Sequence, residues 1–479
     1  MFRCLVGLVV AGWLVPCTTA AHAFGQRYNL PIPLGLYLSG AAATVVVSFV
    51  VVALFIRGQR TAPTRMVVSV CLRGGLEGAF RSFLVPLGRV ISVSLFMLVL
   101  ITGFFGSQEP LENLTSTLVW VIWWVGFAYL SALVGNIWRL FNPWAACFQW
   151  FEAVAHRPAT HTHFSAGASL PDELDVWPAT LLFFIFAWLE LIWPDSQYPR
   201  ATAVAIVLYT CVTWSGMALF GRECWLRRGE AFSIVFGLFA RFAPLRAHHD
   251  GDRETLDVRP YAVGLLSREP VSPSLMVFVL LLLSTLTFDG FKDTPFWATS
   301  VETVLPLLLP IVGDRAYTLF NTLTFAAFPI LFVAVYLAVI RLVVWAGGRK
   351  FAVELVARRF VLTIVPIAIA YHLAHYFSYL LVIGQYIIPL ASDPFGFGWN
   401  LFGTAGYQVD ISIAGVRTVW WFAVIAIVLG HVISVSLAHM TAIDVYGDSG
   451  AARRSQYPML ILMVGYTMLS LWLFAQPIV

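Results

Sequence analysis

Charge is what this chain has least of: Asp, Glu, Lys and Arg make up 11% of its 479 residues, against 59% hydrophobic. Soluble globular proteins carry about 25% charged residues, so that class is excluded. Its six cysteines form no CxxC pair, which removes the sequence basis for a disulfide framework or a cysteine-rich zinc site. No GxSxG elbow, Walker loop or GxGxxG fingerprint occurs, so the soluble catalytic motifs are absent too. No Gly/Ser-rich linker, internal repeat or symmetric pair of broken helices stands out. The net charge of +4 is explained by membrane topology, and no nucleic-acid partner is expected.

Long apolar runs fill the space that charge leaves. Arg3, the core LVGLVVAGWLV and the small residues TTAAHA predict a secretory signal over 1–23, cleaved after Ala23. Cleavage after Ala21 is the alternative and would leave His22 first, where amine and ring together can hold copper. The remainder, 24–479, is expected to be a single integral membrane domain partnered by the lipid bilayer. Apolar runs at 34–56, 86–106, 114–137, 178–194, 201–221, 273–288, 316–340, 361–388, 416–441 and 457–476 predict an all-α polytopic bundle of about ten helices.

Orientation follows from the basic loops. RGQRTAPTR at 57–65, the Arg-dense stretch 222–268, 341–359 and Arg453–Arg454 all fall on one side, which the positive-inside rule makes cytoplasmic. The mature N-terminus and the C-terminus then lie outside. The opposite loops, among them SDPFGFGWNLFGTAGYQVD, are rich in acids, aromatics, Gly and Pro. Such loops anchor at the interface or cap a cavity.

Polar residues inside the spans carry the functional argument, because an ionisable group in hydrocarbon is costly and tends to face a cavity or the bundle interior. His372 and His375 stand three apart and share one helix face. The next span brings His431 near its middle and His439 toward its inner end. Antiparallel neighbours would set His372, His375 and His431 at similar depth. Converging imidazoles are ligands for zinc or a similar divalent metal, for copper, or for a b-type haem. They can also relay protons, or simply hydrogen-bond across helices. Glu190 sits near the outer end of an otherwise uncharged helix, as a general acid or base would. Asp289, Asp293, Asp314, Asp393 and Asp410 are read as outer-loop acids. Arg139, in GNIWRLFNPW, is expected to snorkel or to cap the helix before it.

Two stretches resemble a known group. HAFGQRYNLPIPLGLYLSG at 22–40, and SDPFGFGWNLFGTA at 392–405 preceded by the HLAHY helix, are similar to bacterial polytopic membrane proteins known as fenitrothion hydrolases. The resemblance implies a bacterial inner-membrane protein that hydrolyses lipophilic organophosphorus triesters and releases a nitrophenol. Joined to the reading of the residues, it yields one expectation: a metal held by His372, His375 and His431, with His439 as a further ligand, activates a water that Glu190 or Asp393 orients. A haem- or copper-binding redox protein and a proton-coupled permease are the alternatives.

Overall fold

The computed structural model describes residues 33–55, 67–71, 80–155, 168–250, 253–447 and 449–476. The expected signal segment and the basic run at 57–65 lie outside them. The described chain is an all-α membrane bundle with very little strand: α1 (Leu34–Phe55), α2 (Val85–Phe105), α3 (Leu114–Leu133), α4 (Trp177–Leu191), α5 (Pro199–Phe220), α6 (Ala231–Phe242), α7 (Pro273–Lys292), α8 (Pro295–Val312), α9 (Ala316–Ala346), α10 (Val365–Val382), α11 (Val416–Tyr446) and α12 (Ser449–Phe474), with shorter helices between them. Among the described residues, eight helices are long and apolar enough to cross a membrane.

Two expected spans, α4 and α10, are not among those eight. α4 has only 15 residues, and α10 carries the two histidines and four tyrosine and serine residues in 18. α10 is buried along most of its length, which is why it does not have to be apolar all round, whereas α4 keeps Leu181 and Ile185 exposed on an apolar face. α7 is the innermost: 83% of its apolar window is buried, against 17–50% for the other seven. A helix hydrophobic on every face belongs inside a bundle, and α7 is leucine-rich around its whole circumference. Ser272 starts it by accepting the Leu275 N–H, with Pro273 in its first turn.

The structure corrects two expectations and adds a small sheet. The stretch between α7 and α9, whose flanking acids are expected in an outer loop, is helical over Pro295–Val312, started by Thr294, whose hydroxyl accepts the Trp297 N–H. The Arg-dense stretch 222–268 was read as loop, yet it contains α6, which is buried along one whole side. Twelve residues reach only about 18 Å, so its length hid it from a search for spans. A three-stranded antiparallel sheet, β1 (Val68–Cys71), β2 (Leu245–Asp250) and β3 (Arg253–Val258) in the order β1-β3-β2, also forms at the Arg-rich end. β1 is remote from its partner in sequence, so local patterning does not reveal the pairing.

α6 is held at both ends by charge. The buried Glu230 carboxylate accepts from the Phe232 and Ser233 N–H groups at its N-terminus and from the Tyr209 hydroxyl at 2.6 Å. Arg259 donates to the Ala240, Arg241 and Ala243 carbonyls at its C-terminus. Acid at the N-terminus and base at the C-terminus is the arrangement the helix dipole favours. α10 and α11 pack closely at Gly430, where an added Cβ would lie 2.4 Å from the Ala370 Cβ and 2.8 Å from the Pro366 carbonyl oxygen. Gly430→Ala is therefore expected to cost about 1–3 kcal/mol of stability, read as a lower midpoint of thermal unfolding in lipid nanodiscs.

Candidate functional site

Three helices bring ionisable side chains together at the end of the bundle opposite the sheet. α10 presents His372, His375, Tyr376 and Tyr379 at spacings of three, four and seven, one continuous face of a helix. The last turn of α7 presents Asp289 and Lys292, with Asp293 following at its C-cap. α4 presents Glu190 in its final turn.

Asp289 is the hub. Its side chain is 1% exposed, and it receives the Lys292 ammonium at 3.1 Å, His375 Nε2 at 2.8 Å and the Tyr376 hydroxyl at 2.8 Å. A buried carboxylate is tolerable only when paired and hydrogen-bonded, and each of these contacts supplies part of that compensation. Glu190 Oε1 stands 3.5 Å from the same Tyr376 hydroxyl. That hydroxyl has one proton, and the shorter contact commits it to Asp289. Four groups thus follow one another across three helices: Glu190, Tyr376, Asp289 and His375.

Aromatic rings wall this cluster. His372 meets Trp124, Tyr129, Phe239 and Tyr376 at ring separations of 4.8–6.1 Å, and its Nε2 is buried with no hydrogen-bond partner. Trp124 comes from a π-helical stretch, Thr117–Gly126, in the middle of α3. The wider π turn is a device often found beside functional sites. Phe239 comes from α6, so the charged caps of that short helix hold one wall of the cage.

The expected residues separate. Glu190, His372 and His375 come together. His431 donates its Nδ1–H to the Ile427 carbonyl at 2.8 Å and turns its ring toward Tyr466 on α12. His439 pairs through Nδ1 with Gln456 Oε1 at 2.8 Å. Asp393 accepts the backbone N–H groups of Phe397, Gly398 and Trp399 at 2.6–3.1 Å, so its carboxylate shapes the SDPFGFGWN loop. Among the described residues, no three or more His, Cys, Asp or Glu side chains form a group that could hold a metal ion. The expected ligand set of His372, His375, His431 and His439 therefore does not assemble there, because the last two serve the packing of α11 against its neighbours.

No protein family, curated protein or solved structure matches this chain. Asp289, Lys292 and Tyr376 were missed as site members. Extending the 273–288 span by one helical turn brings the first two into α7, and Tyr376, four residues after His372, shares the face of the histidine pair.

Proposed function

We propose that this chain is a membrane-embedded hydrolase of neutral, lipophilic organophosphorus triesters, with Asp289 and His375 as its acid–base pair. The contact that carries the proposal is His375 Nε2 to Asp289 Oδ2 at 2.8 Å, buried inside an apolar bundle. The choice of substrate class rests on the resemblance of 22–40 and 392–405 to fenitrothion hydrolases.

In this reading the pair takes a proton from water as the water oxygen bonds to phosphorus. The bond from phosphorus to the aryl oxygen breaks, and nitrophenol leaves after taking up a proton. The Lys292 ammonium is the positive group available to offset charge on the phosphoryl oxygen, while the Tyr376 hydroxyl, whose proton goes to Asp289, holds that carboxylate in place. Glu190 is the neighbouring carboxyl to which a proton would pass. A neutral triester partitions into the bilayer and so needs no aqueous route to a site between helices.

Purified protein in lipid nanodiscs is expected to release nitrophenol from a nitrophenyl dialkyl phosphorothioate. No release above the rate of empty nanodiscs overturns the proposal. The succession Glu190, Tyr376, Asp289 and His375 also suits a proton path in a permease; sealed vesicles would then move protons or solute with no product formed.

We place the protein in the bacterial inner membrane with both termini outside. Cysteines introduced at Arg349, in the turn after α9, and at Asp410, in the loop before α11, are then expected to react with an impermeant maleimide from opposite sides. In spheroplasts, only the Asp410 position should label. Labelling of Arg349→Cys alone would reverse the orientation.

A further inference from the structure

α12 carries a notch on its lipid-facing side. Gly465 is exposed there, and a Cβ added to it would meet nothing within 4 Å. Gly465 lines a cavity of about 400 Å³ among α7, α9, α10 and α12, with Leu280, Leu283, Phe332, Ile367 and Met463 among its walls. Leu331 on α9 and Ile461 on α12, which also line it, are 55% and 73% exposed on the lipid-facing surface. The mouth therefore faces the bilayer between α9 and α12, while the floor reaches α7, the innermost helix.

Depth and wall chemistry identify what fills it. Leu331 is the midpoint of the 31 residues of α9. Leu280 and Leu283 lie roughly 10 Å or more from both ends of α7 at 1.5 Å per residue. The hydrocarbon core of a bilayer is about 30 Å thick, so the mouth opens at the level of acyl chains and out of reach of headgroups. Two lining side chains carry a hydroxyl, and both are engaged: Tyr336 gives its proton to the Ala357 carbonyl at 2.7 Å, and Tyr466 shares a hydrogen bond with Thr287 at 2.5 Å. Water needs several polar partners, and the lining side chains offer no free donor. Left empty, the walls would forfeit dispersion contacts that an occupant restores.

We propose that this cavity is a binding site for one acyl chain of a bilayer phospholipid, which bends past Gly465 between α9 and α12 and lays its end against Leu283 on α7. The chain makes no hydrogen bond, so its affinity comes from close packing, as helix association in lipid does. A ligand with a polar end would find no partner for it on these walls. The site uses no residue of the Asp289 cluster, so it stands or falls separately from the hydrolase reading.

The test places the full chain in nanodiscs of a phosphatidylcholine that carries a photoreactive diazirine near the end of one acyl chain, with adducts located by peptide mass spectrometry. Adducts are expected at the buried wall residues Leu283 and Met463 as well as at exposed ones such as Ile330. Gly465→Leu, which fills the notch, should lose the wall adducts and keep the one at Ile330, the sign that the bundle is still folded in lipid. Val335→Phe, which narrows the mouth from the α9 side, should have the same effect from the opposite helix. Adducts confined to exposed residues in the parent protein, or wall adducts that persist in either variant, overturn the proposal. A diazirine-bearing hexadecane in nanodiscs of unlabelled lipid is the comparison: labelling of the wall by the free alkane alone overturns the phospholipid as occupant.

Discussion

His375→Ala is expected to lower triester hydrolysis by about 10²–10⁴-fold, the usual contribution of a positioned acid–base group, while the protein inserts and purifies as before. The reason is geometric. His375 is the imidazole that reaches the buried Asp289 carboxylate, at 2.8 Å. Asp289 orients the ring and offsets the charge it gains, and alanine removes the ring while leaving the α10 backbone able to form. Nitrophenol release measured at saturating substrate decides the matter, with the amount of folded protein in the nanodisc as the control. Retained activity overturns the assignment of His375. A strong chelator such as EDTA separates the two hydrolytic mechanisms: hydrolysis by the pair survives it, whereas hydrolysis through a bound metal is lost. The same measurement tests the zinc expectation.

Asp289→Ala carries the largest expected loss of stability. It removes the one carboxylate that Lys292, His375 and Tyr376 all contact, and it leaves an ammonium without its closest partner in an apolar bundle. Breaking one side of a buried ion pair typically costs about 3–5 kcal/mol. The double variant Asp289→Ala with Lys292→Met should recover much of that loss, because it removes the stranded charge as well. Thermal unfolding of the three proteins in the same nanodiscs is the measurement. An Asp289→Ala protein as stable as the parent would show that Lys292 finds other compensation and that Asp289 is no hub. Hydrolysis should be lost in both variants whatever their stability, since neither retains the pair.

Much of this was legible in the chain itself. A residue set of 59% hydrophobic and 11% charged can satisfy its backbone in lipid only as helices or a closed barrel, and runs of twenty apolar residues select helices. His372 and His375 announced a functional face because imidazole is expensive in hydrocarbon and their spacing is helical. Glu190 was visible for the same reason, as the lone charge in its helix. Asp393 looked equivalent on composition alone and is not: a turn containing Gly396 and Gly398, both at positive φ, folds three backbone N–H groups onto its carboxylate.

Other features depended on contacts between distant segments. The apolar pattern of α6 is too short to read as a span, and only the Glu230 and Arg259 caps, with α3 and α4 around it, make twelve residues a stable buried helix. The partner of His375 is a second case. Depth along a helix can be estimated from residue counts, which put His431 level with His375. Packing sets register and rotation alike: Gly430 lies against Pro366 and Ala370, which leaves His431 roughly 10 Å along the axis from His375 at 1.5 Å per residue, and its ring meets Tyr466 instead. The sequence by itself determined that this is a helical membrane protein with costly polar groups in its interior, because burial in lipid is a matter of composition and length. Only the tertiary structure decided that His375 meets Asp289 rather than His431, because azimuth and close approach are fixed by side chains packing across helices.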